Sequence, residues 1–446
     1  MSPKTSRCFI LFALSALVGS AAACGSPVPD RPNVVVILID TLRPDYLGFY
    51  GYPEEKAPFL AGLAQRSVVF ERAFSTSSWT APSTSSLFTS LYPNQHGVIE
   101  GFNMRRKRNA KLERQGQETM VLNRMPASVT TLPERFQAMG YTTFGLASNP
   151  NIGDEIGFSR GFDAFERDLE WTAGDFYQRL KNWEGRLRRS EPFFLYLHLN
   201  DVHGPYEARA PYYQKQPGWL PDRRARYLSE IGYTDEHIRM IYQELDLEDD
   251  TILVVLSDHG EEFQDHGGLA HDPTLYVELN RVVMVFHAPF LGVKPQRIDV
   301  NVSLIDVLPT LVDLVAGERL TTAEGLSLVP VLKKAGGSEA LTGELRKRTL
   351  LAHRLGLYEV RPFWAAIWRH WKLIERPDAG IEAYDHRSDP TERRNLYSRD
   401  ASQVPVRLLE ALGEFKAREL VAKPDTIQVE VDEELEKNLR SLGYVQ

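Results

Sequence analysis

The feature that most constrains the fold is residues 34–39, six consecutive apolar positions, most of them β-branched, closed by Asp40. A strand with one face in water alternates apolar and polar residues. A run that is apolar at every position fits a strand buried on both faces of a parallel sheet. Residues 193–199, 252–256 and 282–286 repeat the pattern, and 142–147 is a weaker version of it. Helical patterns fall at 57–66, 129–139, 176–188, 225–245 and 302–315. Strands alternating with helices predict an α/β fold with a large, mostly parallel sheet. Such sheets bind ligands at the carboxyl ends of their strands. Asp40, His203 and the pair Asp258–His259 each lie just after one of these runs.

The flanks read differently. Lys4 and Arg7 precede an apolar stretch and the small residues Gly19 to Ala23, after which comes Cys24. This is a signal-peptide pattern over residues 1–23, too short for a membrane span. The small residues directly before Cys24 resemble a bacterial lipobox, which predicts lipidation of Cys24 and a membrane tether over 24–32. Ordinary cleavage after Ala23 is the alternative. A domain is expected over 33–335, ending at the Gly- and Lys-containing break of 333–343. A small antiparallel sheet unit is expected over 345–400, with strands at 349–353 and 364–374. A final helix at 405–420 and an acidic tail complete residues 401–446. The basic stretch 104–114 reads as a solvated loop or as a docking patch for a polyanion or anionic lipid head group.

Lys plus Arg number 52 against 60 Asp plus Glu, a net charge of −8. That argues against a nucleic-acid binder. Two cysteines exclude a disulfide scaffold and a Cys-based zinc site. An acidic protein that handles an anion needs local positive charge, from a metal ion or a helix N-terminus.

Ser78 to Ser90 is rich in hydroxyl residues, and Pro82 suits the first turn of a helix. Thr80 is placed just outside that turn, with its hydroxyl free to face an anion. Asp40, Asp258 and His259, joined by the Thr80 hydroxyl, would make an O/N site for one divalent cation: calcium, magnesium, manganese or zinc. His203 stands before a Gly-Pro turn, and His271 lies in a loop that also holds His266. Either is suited to bind an anion or to protonate a leaving alcohol.

The order of these motifs resembles the sulfatase family of the alkaline phosphatase superfamily. The likeness runs from Asn33 to Asp40, through Thr80 to Thr89 and Tyr92 to Gly97, to Gly140–Tyr141. It continues through Asp201 to Tyr206, Ser257 to Glu261 and His271 to Tyr276, and ends at Tyr384 to Pro390 and Asn395–Leu396. The resemblance implies an alkaline-phosphatase-like three-layer sandwich, a small C-terminal antiparallel sheet domain and one active-site metal. Thr80 occupies the position of the family's signature cysteine, whose formylglycine form is the nucleophile. Thr84 stands where the family has arginine, Thr41 replaces the second of two aspartates, and Ser148 and Pro150 replace a lysine and a histidine. Threonine at the nucleophile position is similar to the phosphodiesterase and transferase branches of the superfamily.

The expectation is a metal-dependent hydrolase of sulfuric or phosphoric esters acting through a covalent Thr80 intermediate. Phosphate-type esters are favoured, because a threonine sulfate lacks the exit that formylglycine provides. Two alternatives stand: a phosphotransferase acting on an envelope glycan or lipid, and a non-catalytic glycan-binding envelope protein. The expected partners are an anionic ester, the bacterial cell envelope and a membrane reached through Cys24, with no nucleic acid.

Overall fold

The computed structural model describes residues 31–102, 119–248, 250–271, 274–333, 339–355, 362–377, 379–418, 425–430 and 433–441. Cys24, the signal segment and the basic stretch 104–114 lie outside them. No helix among the described residues is long and apolar enough to cross a membrane.

The strand Asn33–Ile39 runs through the middle of a nine-stranded sheet. It pairs in parallel with Phe193–Leu199 on one side and Thr251–Leu256 on the other. Thr142–Ala147 and Ala164–Arg167 continue one flank in parallel. The other flank is mixed. Met284–His287 runs antiparallel to Thr251–Leu256 and to Val68–Phe74, and Gln296–Ser303 lies parallel to Val68–Phe74.

Side chains alternate across this sheet, so the central strand splits between two cores. Val34, Val36 and Leu38 join Phe88, Phe136 and Leu308, carried by the helices Thr80–Thr89, Leu132–Ala138 and Val307–Ala316. Val35, Ile37 and Ile39 join Leu60, Phe176 and Tyr227, carried by the helices Pro58–Ala64, Ala173–Arg188 and Trp219–Glu244. Two full faces of burial explain why every position of the run is apolar. A second sheet, Leu350–Arg354, Phe363–Trp368, Trp371–Arg376 and Gly380–Asp385, is antiparallel throughout.

Some expected boundaries move. The helix expected over 302–315 starts later, because Val302 and Ser303 still pair with Ala73 and Phe74. Ser303 and Asp306 then form a reciprocal cap ahead of Val307–Ala316. The helix expected over 225–245 is longer, Trp219–Glu244. The expected strand 364–374 is a hairpin, turned at Arg369, whose φ is 51°. The helix expected at 405–420 is Val406–Ala417 but is not the last: beyond it Asp425–Glu430 pairs with Thr119–Arg124, and the helix Glu433–Ser441 follows.

Candidate active site

Parallel register brings three strand ends level. Leu38 is opposite His198 on one side and Leu256 on the other. The residues that follow, Asp40, His198 to Asn200 and Asp258–His259, therefore converge. The Asp40 amide donates to the Leu199 carbonyl at 2.9 Å. The chain turns at once, with Thr41 at φ 56°. A β-branched residue in this region is strained. The turn is held by the Thr41 hydroxyl, which donates to the Val202 carbonyl at 2.9 Å.

Thr80 is the first residue of its helix, not a residue outside it. Trp79 takes the cap position in extended conformation, and its side chain makes no cap hydrogen bond. Ser83, inside the first turn, points back along the helix, its hydroxyl donating to the Trp79 carbonyl at 2.8 Å. The first turn so keeps the partial positive charge of its amides. Thr80 Oγ1 lies 3.4 Å from Asp40 Oδ2 and 3.3 Å from His259 Nε2.

Asp40, Asp258 and His259 are fully buried and present one donor atom each, all within 4.8 Å of one another. His259 Nδ1 donates to the Gly260 carbonyl at 2.8 Å, which leaves Nε2 as the lone-pair atom. That Nε2 is 3.5 Å from Asp40 Oδ1 and 3.4 Å from Asp258 Oδ2. Both of those carboxylate oxygens are buried without a hydrogen-bond partner. Orphaned buried oxygens facing an imidazole lone pair are the signature of a cation site, and the O/N donor set suits a divalent ion. The electrostatics agree. Burial, then the Asp40 charge, push Asp258 well above the usual carboxylate range. Burial also opposes the charge on Asp40, but the His198 hydrogen bond and nearby histidines outweigh it and hold Asp40 low. Burial pushes His259 down to about 3, so it is neutral. Gly260 is required by space, since a Cβ there would lie 1.9 Å from the Glu278 carbonyl oxygen.

His203 and His271 join the same group. The His271 ring centroid is 4.8 Å from that of His203 and 4.6 Å from that of His259. His203 Nδ1 is 2.6 Å from the Gly204 carbonyl, and burial lowers its pKa. His271 Nδ1 is 3.2 Å from Glu261 Oε1. Burial opposes the Glu261 charge, yet the His271 charge and hydrogen bond bring this carboxyl down to about 2. Glu261 is thus a standing counter-charge for an imidazolium at His271.

Sequence reasoning missed the support around Asp40. His198 Nε2 is 3.1 Å from Asp40 Oδ2, and its Nδ1 is 2.8 Å from the Tyr196 hydroxyl. Asn149 Nδ2 donates to Asp40 Oδ2 at 2.6 Å and to Asn200 Oδ1 at 2.9 Å. A histidine inside the apolar run 193–199 was the available signal. Asn149 sits between Ser148 and Pro150, the positions where the family's lysine and histidine are replaced. Thr84 is fully buried one turn into the helix, with its hydroxyl unpartnered.

This chain is similar to a Δ4,5-hexuronate-2-O-sulfatase of Bacteroides thetaiotaomicron, 22% identical over 84% of this chain and 87% of that protein. Among solved structures, the phosphonate monoester hydrolase of Agrobacterium radiobacter superposes with a TM-score of 0.69 at 19% identity, over 86% of this chain and 95% of that one. A structure in complex with its substrate D-glucosamine-2-N,6-O-disulfate superposes with a TM-score of 0.67 at 16% identity, over 86% and 97%. The Sulfatase family model matches residues 32–317, and with that match the chain belongs to the sulfatase family of ester hydrolases.

Proposed function

We propose that the chain hydrolyses a phosphate-type ester of an anionic saccharide through a covalent Thr80 intermediate, with sulfate esters as the competing class. The observation that carries this reading is the Thr80 hydroxyl, in reach of both Asp40 Oδ2 and His259 Nε2 at a helix start. A divalent cation held by Asp40, Asp258, His259 and the Thr80 hydroxyl would lower the pKa of that hydroxyl and offset the charge of the anion.

The chain's own groups divide the rest of the work. Thr80 Oγ1 loses its proton to solvent water and bonds to phosphorus as the bond to the leaving oxygen breaks. The amides of the helix start face the charge that develops on the transferred group. His271, backed by the ionised Glu261, supplies the proton to the leaving oxygen. Its neighbour His203 is neutral, with Nδ1 engaged by a carbonyl, and hydrogen-bonds the bound anion. Water then attacks phosphorus and gives a proton to His271 as the bond to Thr80 Oγ1 breaks, and Oγ1 takes a proton back from solvent. The hexuronate sulfatase and the disulfated-glucosamine complex among the similar proteins support a saccharide as leaving group. The lipobox pattern at Cys24 supports work at the cell envelope.

The test is turnover of 4-nitrophenyl phosphate, phosphonate, phosphodiester and sulfate, followed by intact-mass spectrometry of acid-quenched enzyme. A preference for a phosphorus ester and an adduct mapped to Thr80 are expected. A preference for sulfate over every phosphorus ester would overturn the phosphate assignment, and an unmodified Thr80 during turnover would overturn the intermediate.

A further inference from the structure

The chain that follows His203 passes through Tyr206, whose hydroxyl donates to Glu261 Oε2 at 2.5 Å. The same carboxylate holds His271, so Tyr206 is one contact removed from the proposed proton donor. Against Tyr206 lies Arg223, from the start of the helix Trp219–Glu244, with its guanidinium carbon 4.7 Å from the ring centroid. A Cβ built on Gly204 would be 3.7 Å from Arg223 Nη2, so this guanidinium lies over the residue next to His203. One turn back, Trp219 is 58% exposed, 5.9 Å from the same guanidinium.

Of the arginines nearby, Arg224 donates to the Phe263 carbonyl at 2.7 Å, and three are matched with acids: Arg43 with Asp265, Arg209 with Glu230 and Arg226 with Asp222. Arg223 is not. Among the described residues it makes no ion pair, and its Nε is buried with no acceptor. A half-buried guanidinium in a group of cations, stacked on one aromatic ring and beside an exposed second one, lacks its counter-ion. Its fork of donors matches a carboxylate or sulfate, and the open indole face matches the apolar face of a sugar ring.

We propose that Trp219 and Arg223 form the leaving-group subsite. The ring of an anionic saccharide lies on Trp219, and a second anionic substituent, other than the group transferred, binds Arg223. This rests on the ester-hydrolase reading of the Thr80 site, so its test reads binding as well as turnover.

Galactose 6-sulfate and its neutral parent, galactose, are titrated calorimetrically into wild type, Arg223→Gln, Arg223→Lys and Trp219→Ala, each first shown to melt cooperatively. Wild type is expected to bind the sulfated sugar about tenfold or more tightly than the parent. Arg223→Gln should erase that ratio, Arg223→Lys should keep part of it, and Trp219→Ala should weaken both sugars. Equal affinity for the two sugars in wild type, or an unchanged ratio in Arg223→Gln, overturns the subsite. Failure of wild type to cleave any 4-nitrophenyl ester overturns the hydrolase reading instead, and the binding ratios still decide the subsite.

Discussion

Removing metal should destabilise this protein in a way that depends on pH, and the sign follows from Asp258. A cation present at one hundred times its Kd adds about 2.7 kcal/mol of stability. With an unfolding entropy of about 2 cal/mol/K per residue, a chain of this length gains about 3 °C in Tm. Without the cation, burial and the Asp40 charge hold Asp258 protonated well above its ordinary range. A group whose folded pKa is raised lends stability below its unfolded pKa and loses it as pH rises through the folded value. The metal-free protein should therefore lose stability from about pH 4 upward, while the loaded protein, with Asp258 ionised throughout, does not. Asp40 shifts the other way, but its folded value lies below any practical pH. The buried, neutral His96, His259 and His353, each pushed down to about 3 by burial, act alike on both forms and cancel in the difference.

The metal-induced rise in Tm should thus widen with pH, by up to about 1.5 °C per unit, equivalent to about 1.4 kcal/mol, while Asp258 still holds its proton. Differential scanning calorimetry of chelated and reloaded protein from about pH 5 to about pH 9 measures it. Asp258→Asn should abolish the rise at every pH. A rise that is flat with pH, or one that survives Asp258→Asn, refutes the assignment of the cation to this carboxylate.

Other outcomes follow from single contacts. Thr80→Ala should cost about three orders of magnitude or more in kcat, and Thr80→Ser should retain part of the rate, since the hydroxyl stays. Steady-state kinetics on the best phosphorus ester reads both. Cys24→Ser should move the protein from the membrane to the soluble fraction on cell fractionation, because stable anchoring needs the acyl chains. Glu392 is buried and takes hydrogen bonds from Lys372 Nζ, His386 Nε2 and the Val277 amide. Its loss in Glu392→Ala leaves a buried ammonium uncompensated, and urea unfolding should show a drop of about 3–5 kcal/mol.

The sequence made the centre of the sheet legible and hid its edge. Residues 34–39 are apolar throughout because both faces are covered. Val68–Phe74 is broken by Glu71 and Arg72, which are only half buried, and Gln296–Ser303 is polar along its first half. Neither shows the continuous run that marks a central strand. In the site, Asp40, Asp258 and His259 were readable because each follows such a run directly. His198 and Asn149 were not, since their link to Asp40 crosses between neighbouring strands and leaves no mark in local spacing. The error at Thr80 was one of register. Pro82 read as the start of the first turn, which put Thr80 outside it, whereas the helix begins two residues before the proline, behind an extended tryptophan.

The balance of charge yields a last prediction. Asp40 and Asp258 supply two negative charges, which a divalent cation only neutralises, and His259 is neutral. The family's arginine and lysine positions hold Thr84 and Ser148, both fully buried. Among the described residues the positive charge left for the transferred group is the helix start and an imidazolium at His271 already matched by Glu261. Arg354, buried over the Trp79 ring at 5.4 Å, donates to the Leu355 carbonyl, and Arg223 stands over Tyr206. The site should grip the bare product anion weakly and take most of its affinity from the rest of the substrate. Inorganic phosphate and sulfate are expected to inhibit with constants of about a millimolar or weaker, equivalent to about 4 kcal/mol of binding. Competitive inhibition by either anion in the low micromolar range would show that the transferred group has a cationic cradle of its own, and that the replacements at Thr84 and Ser148 are made good close to Thr80 rather than at the rim.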